Sequence, residues 1–252
     1  MIVKTTGHVL RLDPFSKTSQ IITWLTRDHG RVVTLAKGAK RRQSLLLGQY
    51  DLFHTCEFLF YESARGAMGI LKECCPLKSR EPLRADWRAC MAASYLCDML
   101  NHLTPSGAAQ TGLYAFAEAA LDFLGGHGAS PAIVHWHEIK LLHLLGVSPQ
   151  LSACMECGRS DFSTYPSVPI SFPRGGILCP DCHNRRPSPS LNVTRDALSM
   201  LRIWQSSASP LLAKRTACTA RQSELVERIL GRFLDYHLET SPLSRTIMME
   251  AL

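Results

Sequence analysis

The 252-residue chain has no stretch approaching the roughly 20 consecutive apolar residues that span a bilayer, so no transmembrane helix is expected. Its first residues, Met1-Ile2-Val3-Lys4-Thr5-Thr6-Gly7-His8, contain no apolar h-region and no small-residue cleavage site, and the expected location is cytoplasmic, without a membrane partner. There is no G-x4-G-K-[ST] loop and no G-x-G-x-x-G, which removes the usual grounds for nucleotide hydrolysis. A G-x-S-x-G nucleophile elbow is also missing. His137-Glu138-Ile139-Lys140-Leu141 begins like the metalloprotease H-E-x-x-H, but the fifth position is Leu141, and His143 falls two residues late, off that helical face. His135, His137 and His143 therefore read as ordinary helix-surface or interface residues. No spacing of acidic residues singles out a catalytic pair, and there are no internal repeats or low-complexity tracts. Asn192-Val193-Thr194 is a glycosylation sequon without secretory context, and Thr194 reads as a helix cap.

What is present is an ordinary globular composition, 46% apolar and 19% charged, with length for one large domain or two modest ones. Ten cysteines raise the question of a disulfide scaffold. A chain this long builds a core without staples, and no export signal accompanies the cysteines. Cys56, Cys74, Cys75, Cys90, Cys97 and Cys218 lie in apolar or helical contexts and read as buried, reduced thiols. The other four are different. Cys154-Met-Glu-Cys157-Gly158 and Gly175-Gly176-Ile-Leu-Cys179-Pro180-Asp181-Cys182 form two C-x2-C pairs separated by 21 residues. Two residues between ligands let one tight turn present two thiolates to the same ion, and two such turns complete a tetrahedral zinc site. Gly158 stands where such knuckles often need positive φ. Four thiolates close the coordination sphere and leave no position for a reactive water, so Cys154, Cys157, Cys179 and Cys182 are expected to hold one structural Zn2+. His183 is a competing ligand that four cysteines make unnecessary.

The net charge of +7 is unevenly distributed. Residues 1–80 carry thirteen Lys/Arg against six Asp/Glu, and the rest of the chain carries fifteen of each. The entire excess lies in the first third, which points to a polyanionic partner there, nucleic acid ahead of an anionic membrane. This third reads as about five strands: Ile2–Leu12, Gln20–Leu25, Arg31–Lys37, Asp51–Tyr61 and Met68–Cys75. Arg27-Asp28-His29-Gly30 supplies a turn, and Gly38–Ser44 a loop with three consecutive basic residues. Five short strands in about 80 residues suit an OB-type β-barrel. Lys37, Lys40, Arg41 and Arg42 are candidate DNA-binding residues at a strand end and loop start, with Arg31 and Lys4 expected to join them on the barrel face. Tyr50, Phe53, Phe58 and Phe60 could stack on bases, although alternating strand positions favour barrel core.

From Pro82 the period becomes helical, with Trp87, Cys90, Met91, Ser94, Cys97 and Leu100 at helical spacing. Further helices are expected over 111–124, from Ser130-Pro131 to Gly146, over 194–206 and over 219–239. Leu225, Ile229, Leu230, Phe233, Leu234 and His237 form the core stripe of the last. Residues 147–192, rich in Pro, Ser and Gly, interrupt the helices and carry the cysteine pairs. The tail after Pro242 reads as short and loosely ordered. The expected fold is thus α+β multidomain: an OB-fold barrel over 1–80, then a helical domain over 81–252 with a zinc insertion at about 147–192.

Leu25-Thr26-Arg27-Asp28-His29-Gly30-Arg31-Val32 and Ala36-Lys37-Gly38-Ala39-Lys40-Arg41-Arg42 resemble the N-terminal signature of the RecO family of bacterial DNA-repair proteins. Gly175-Gly176-Ile177-Leu178-Cys179-Pro180-Asp181-Cys182 is similar to the zinc motif of many members. The order of parts agrees along essentially the whole chain. The resemblance implies a non-enzymatic recombination mediator that binds single- and double-stranded DNA and anneals complementary strands. It also implies work with RecR, and in some lineages RecF, to help RecA load on DNA coated by single-strand-binding protein (SSB), with contact to the acidic SSB C-terminal tail, at the nucleoid. One departure stands out. After Arg42 the chain runs Gln43-Ser44-Leu45-Leu46-Leu47-Gly48, more apolar than the family's pattern, which leaves DNA and protein both open as its partner. The alternative function is a zinc-stabilised protein–protein adaptor acting mainly through the helical domain. A zinc hydrolase is the third reading, and the closed ligand set opposes it.

Overall fold

In the computed structural model, residues 1–62, 68–239 and 242–252 are described. Five strands open the chain: β1 (Ile2–Pro14), β2 (Gln20–Thr26), β3 (Gly30–Ala36), β4 (Thr55–Tyr61) and β5 (Gly69–Lys78). They close into a barrel in the order β1-β2-β3-β5-β4. The β3–β5 joint is parallel, pairing Thr34 with Gly69 and Leu35 with Ile70, and the other pairings are antiparallel. This is the OB arrangement. Alternation along the strands turns Val3, Val9, Ile22, Trp24, Phe58, Phe60 and Leu71 into one apolar core. Trp24 stacks on Phe58 with ring centroids 4.1 Å apart and donates its indole N–H to Thr34 Oγ1 at 2.9 Å. Two strand boundaries differ from expectation. Asp51–His54 form a turn rather than the start of a strand, and β5 runs through Pro76, which sits at an irregularity opposite Cys56 where the ladder asks for no N–H.

The four residues from Arg27 to Gly30 do form a turn. Thr26 Oγ1 donates to the Gly30 carbonyl at 2.8 Å and accepts from His29 N at 3.0 Å. Gly30 has φ +64°, and an added Cβ would lie 2.4 Å from the Ala108 carbonyl oxygen and 2.5 Å from that of Pro105. Only glycine fits a positive φ with backbone that close.

Helices α1 (Pro82–Ala85), α2 (Trp87–Leu103) and α3 (Thr111–His127) follow. Asp86 caps α2 by accepting from Arg88 N and Ala89 N. The buried face of α2 runs through Ala89, Ala92, Ala93, Leu96, Met99 and Leu100, while Trp87 is exposed. Of the spacing read from Trp87 onward, Cys97 and Leu100 are buried, while Cys90, Met91 and Ser94 lie on the flank of that face. Arg80 ties these layers together. Its buried guanidinium donates from Nη1 to the Phe53 carbonyl at 2.7 Å and Thr55 Oγ1 at 2.8 Å, and from Nε to Asp122 Oδ1 on α3 at 2.7 Å. A buried cation engaged in this way through Nε and Nη1 holds the helices in register with the barrel.

The chain divides into two compact units, one of residues 1–129 with 242–251, the other of residues 130–241. The change from strands to helices falls near residue 80, as expected, but α1–α3 cluster with the barrel because α2 and α3 pack on it. The second unit contains α4 (Pro131–Leu144), β6 (Ser167–Ser171), β7 (Gly176–Ile177), α5 (Pro180–Arg185), β8 (Ser190–Thr194), α6 (Arg195–Ser206), α7 (Pro210–Arg215) and α8 (Ala220–Leu238). Ser130 caps α4 through its hydroxyl, and a Thr219–Gln222 capping box opens α8. Strands β7-β6-β8 form a small antiparallel sheet. Cys154, Cys179 and Cys182 share one apolar core with Ile139, Leu201 and Ile229, so the cysteine module is built into the helical unit.

Three expectations are corrected here. Of the three histidines read as helix-surface or interface residues, His143 is exposed, but His135 and His137 are buried, His135 Nδ1 paired with Glu138 Oε2 at 3.1 Å and His137 Nδ1 with the Ile133 carbonyl at 2.8 Å. The tail after Pro242 forms α9 (Leu243–Ala251), which packs on α2, buries Met248 and donates from Ser244 Oγ to Asp98 Oδ2 at 2.6 Å. Of the six thiols read as buried, Cys56 and Cys97 are buried; Cys75 is exposed, because on β5 it points opposite to Cys74. Among the described residues no helix is long and apolar enough to cross a membrane.

Candidate nucleic-acid interface and metal centre

The connection from β3 to β4 carries the basic loop. Its backbone is tied to the β1–β2 connection, with Gly38 N donating to Ser19 Oγ at 3.0 Å and Lys40 N to the Thr18 carbonyl at 2.9 Å. A turn follows, in which Arg41 N reaches the Gly38 carbonyl and Ser44 N the Arg41 carbonyl. Ala39, Leu46 and Tyr50 anchor the loop in the barrel core. With those side chains turned inward, Lys37, Lys40, Arg41 and Arg42 are all exposed. Lys37, Arg41 and Arg42 line a shallow depression of ≈ 540 Å³ with Gly38, Gln43 and Ser44. Among the described residues none of these four cations forms an ion pair. Residues 29–50 contain no Asp or Glu at all.

The two other candidates lie apart from this cluster. Arg31 is the second residue of β3 and Lys37 follows its end, six residues away, about 20 Å along a strand. Arg31 lines a separate depression of ≈ 300 Å³ with His29, Phe60 and Ser106, and its backbone N–H is held by the Pro105 carbonyl. Lys4 is paired with Glu57 at 2.9 Å and faces a third depression that also holds Lys72 and Glu73. That face is electrically balanced. Tyr50, Phe53, Phe58 and Phe60 are all buried, Tyr50, Phe58 and Phe60 within the barrel core. The exposed Phe15, on the β1–β2 connection, went unrecognised as a surface feature because a lone aromatic near Pro14 carries no periodic signal. Leu45 belongs to the apolar segment noted after Arg42, a run of three leucines of which only the middle one is anchored.

The four cysteines converge as their spacing requires. Their sulfurs all lie within 4.8 Å of one another, and Cys157 Sγ and Cys179 Sγ are 3.8 Å apart. A tetrahedron with Zn–S bonds of about 2.3 Å has an edge of about 3.8 Å, so these residues fit a single tetrahedral ion. Each pair turns as a knuckle. Gly158, at φ +73°, donates to the Cys154 carbonyl at 3.0 Å, and Cys182 N donates to the Cys179 carbonyl at 3.1 Å as the chain enters α5. Burial opposes ionisation of Cys154, yet backbone N–H groups of Cys157, Cys179 and Glu156 outweigh it and bring the thiol down to about 7. The neighbouring Cys179 thiol and then burial push Cys182 up to about 12. Metal binding must therefore displace protons, and its affinity falls in acid. Around the rim, Arg159 donates to Tyr165 Oη at 2.6 Å and Asp181 Oδ2 at 2.9 Å, fixing one knuckle against the other.

Comparison with known proteins matches both parts of the chain. The family model described as "Recombination protein O N terminal" matches residues 1–80, and "Recombination protein O C terminal" matches residues 84–246. A "DNA repair protein RecO" from Moorella thermoacetica is 29% identical over 248 residues, 97% of this chain and 89% of the relative. Another of that name from Rhodopirellula baltica is 32% identical over 199 residues, 77% of this chain and 72% of the relative. A third, from Desulforudis audaxviator, is 29% identical over 245 residues, covering 96% and 94%. On both family models, and on relatives of which two match nearly its whole length, the chain belongs to the RecO family.

Proposed function

We propose that the protein is a non-enzymatic recombination mediator in DNA repair, which binds single- and double-stranded DNA through residues 1–80 and anneals complementary strands. The carrying observation is the exposed cluster Lys37, Lys40, Arg41 and Arg42, free of ion pairs among the described residues and set on a loop that the barrel core anchors. Such a surface neutralises phosphates without reading bases. Annealing brings two polyanions together, and a cationic surface holding both lowers their repulsion. Arg31 and Lys4 extend the DNA surface only as separate contacts, Lys4 more weakly because Glu57 already balances it.

Cys154, Cys157, Cys179 and Cys182 hold one structural Zn2+, which supplies a staple between two knuckles and no chemistry. The helical part, residues 81–252, makes the protein contacts: RecR, the SSB C-terminal tail and, in some lineages, RecF, in support of RecA loading at the nucleoid in the cytoplasm. Family membership supports these partners. The adaptor reading is favoured by one observation of its own, that the charge excess is absent from this larger part of the chain. The deciding experiment reverses Lys37, Lys40, Arg41 and Arg42 to Glu together. DNA binding should vanish at moderate salt with the circular-dichroism spectrum unchanged; retained binding overturns the proposal, and retained RecR or SSB-tail binding alone leaves the adaptor.

A further inference from the structure

The loop that presents the cations also presents two exposed leucines. Leu45 is 93% exposed and Leu47 is 51% exposed, while Leu46 between them is buried in the barrel core. Exposure here reflects order rather than slack. Leu46 N is held by Ser44 Oγ at 3.2 Å, Leu47 N by the Ser44 carbonyl at 3.1 Å, and Gln49 N by the Leu46 carbonyl at 3.2 Å. Farther along, the Gln49 carbonyl accepts from the thiols of Cys56 and Cys74, and Tyr50 Oη donates to Gln20 Oε1. The loop therefore holds two apolar side chains outward in a fixed conformation.

A leucine left this bare forgoes the burial that stabilises most leucines, and a folded chain has easy polar substitutes at a loop tip. The charge beside it narrows what covers it. Leu45 borders the depression of Lys4, Lys72, Glu57 and Glu73, whose charges cancel, so the net charge next to the tip is that of the loop itself, where over residues 29–50 every charged side chain is a cation. The complementary ligand must offer both negative charge and accessible apolar faces. Unpaired DNA does so: its phosphates repeat along the strand, and its bases expose flat apolar faces once they leave the duplex. A paired, stacked duplex hides those faces and offers the leucines nothing.

We propose that Leu45, assisted by Leu47, is an apolar wedge that packs among unpaired nucleobases while Lys37, Lys40, Arg41 and Arg42 hold the flanking phosphates. The inference rests on the DNA-binding reading above and adds to it a preference for unstacked strands. Apolar wedges at base steps are an established way for proteins to unstack DNA. The division of labour is physical. The cations supply salt-dependent affinity for any DNA, and the leucines supply a salt-independent increment for single strands alone.

The test uses the full chain with Leu45→Ala/Leu47→Ala, both exposed sites, beside the four-residue charge reversal. Affinities are measured for a single-stranded oligonucleotide carrying 2-aminopurine and for a blunt duplex, each at two salt concentrations. The leucine variant should bind the single strand about tenfold more weakly, lose the 2-aminopurine fluorescence change, and keep duplex affinity and the salt slope of the wild type. Wild-type affinity and fluorescence change in the leucine variant, with DNA binding lost in the charge reversal, overturn the wedge and leave the DNA-binding reading intact. Unchanged DNA binding in the charge reversal overturns both. A leucine variant that keeps its single-strand affinity but loses binding to vesicles of anionic lipid, or to an acidic apolar peptide, assigns the tip to that partner instead and overturns the wedge.

Discussion

Replacing Lys37, Lys40, Arg41 and Arg42 together by Ala tests whether the loop acts through counterion release. The four side chains are exposed and form no ion pair among the described residues, so each is available to a phosphate. With about 0.7 of a counterion released per contacted phosphate of single-stranded DNA, four contacts give a slope of about −2.8 in log affinity against log salt. A fourfold rise in salt then weakens binding about 50-fold through this loop alone. For duplex the corresponding slope is about −3.6. The variant should lose those amounts from its total slope, as read by fluorescence anisotropy across a salt titration. Lys4→Ala is the internal control. Its ammonium is already balanced by Glu57 at 2.9 Å, so removing it should change the slope by well under a single contact. A quadruple variant whose slope stays within about half a unit of wild type would refute the argument, even if its affinity at one salt concentration fell.

Cys179→Ser should remove one of four convergent ligands, loosen residues 147–192 and destabilise the unit by about 4 kcal/mol, about 10 °C in melting temperature; because Cys179 shares a core with Ile139 and Ile229, an unchanged melting curve would contradict a stapling role. Zinc content by mass spectrometry should be one ion per chain in wild type and lower in the variant. Burial, aided by Arg80, holds His8 neutral with a pKa of about 4, and burial alone does the same for His137, against 6.5 for an unburied histidine. The unfolded chain therefore takes up these protons first, so stability is full above pH 6.5 and falls as pH drops toward 4, by about 2 kcal/mol per histidine at pH 5. Equal denaturation midpoints at pH 7.5 and pH 5 would count against it. Met248→Ala should cost about 3 kcal/mol, since the side chain is fully buried where α9 packs on α2; a change within 0.5 kcal/mol, the usual surface range, would mean α9 is dispensable.

Features whose signal is local were legible from residue order. The C-x2-C pairs are one, because a two-residue spacer and a glycine at positive φ dictate a knuckle wherever the chain carries it. The β3 turn with Gly30, the capped start of α4 at Ser130-Pro131 and the core stripe of α8 are others. Sequence also located the whole charge excess in the first third and the basic triplet after β3. What it left open depended on which surfaces meet. Arg31 and Lys37 are near neighbours in the chain, yet an extended strand sets them about 20 Å apart, so only the loop cations cluster. The tail after Pro242 carries a helix of only nine residues, too short to be stable alone, and it forms because α2 offers it a partner. His135 and His137 look like surface residues until α4 is packed on both sides. Leu45, Leu46 and Leu47 are identical in sequence, and only the barrel core decides which one is anchored and which two remain exposed. Local chemistry sets the metal centre and the charge, while long-range packing, which no single segment encodes, chooses the surface on which they act.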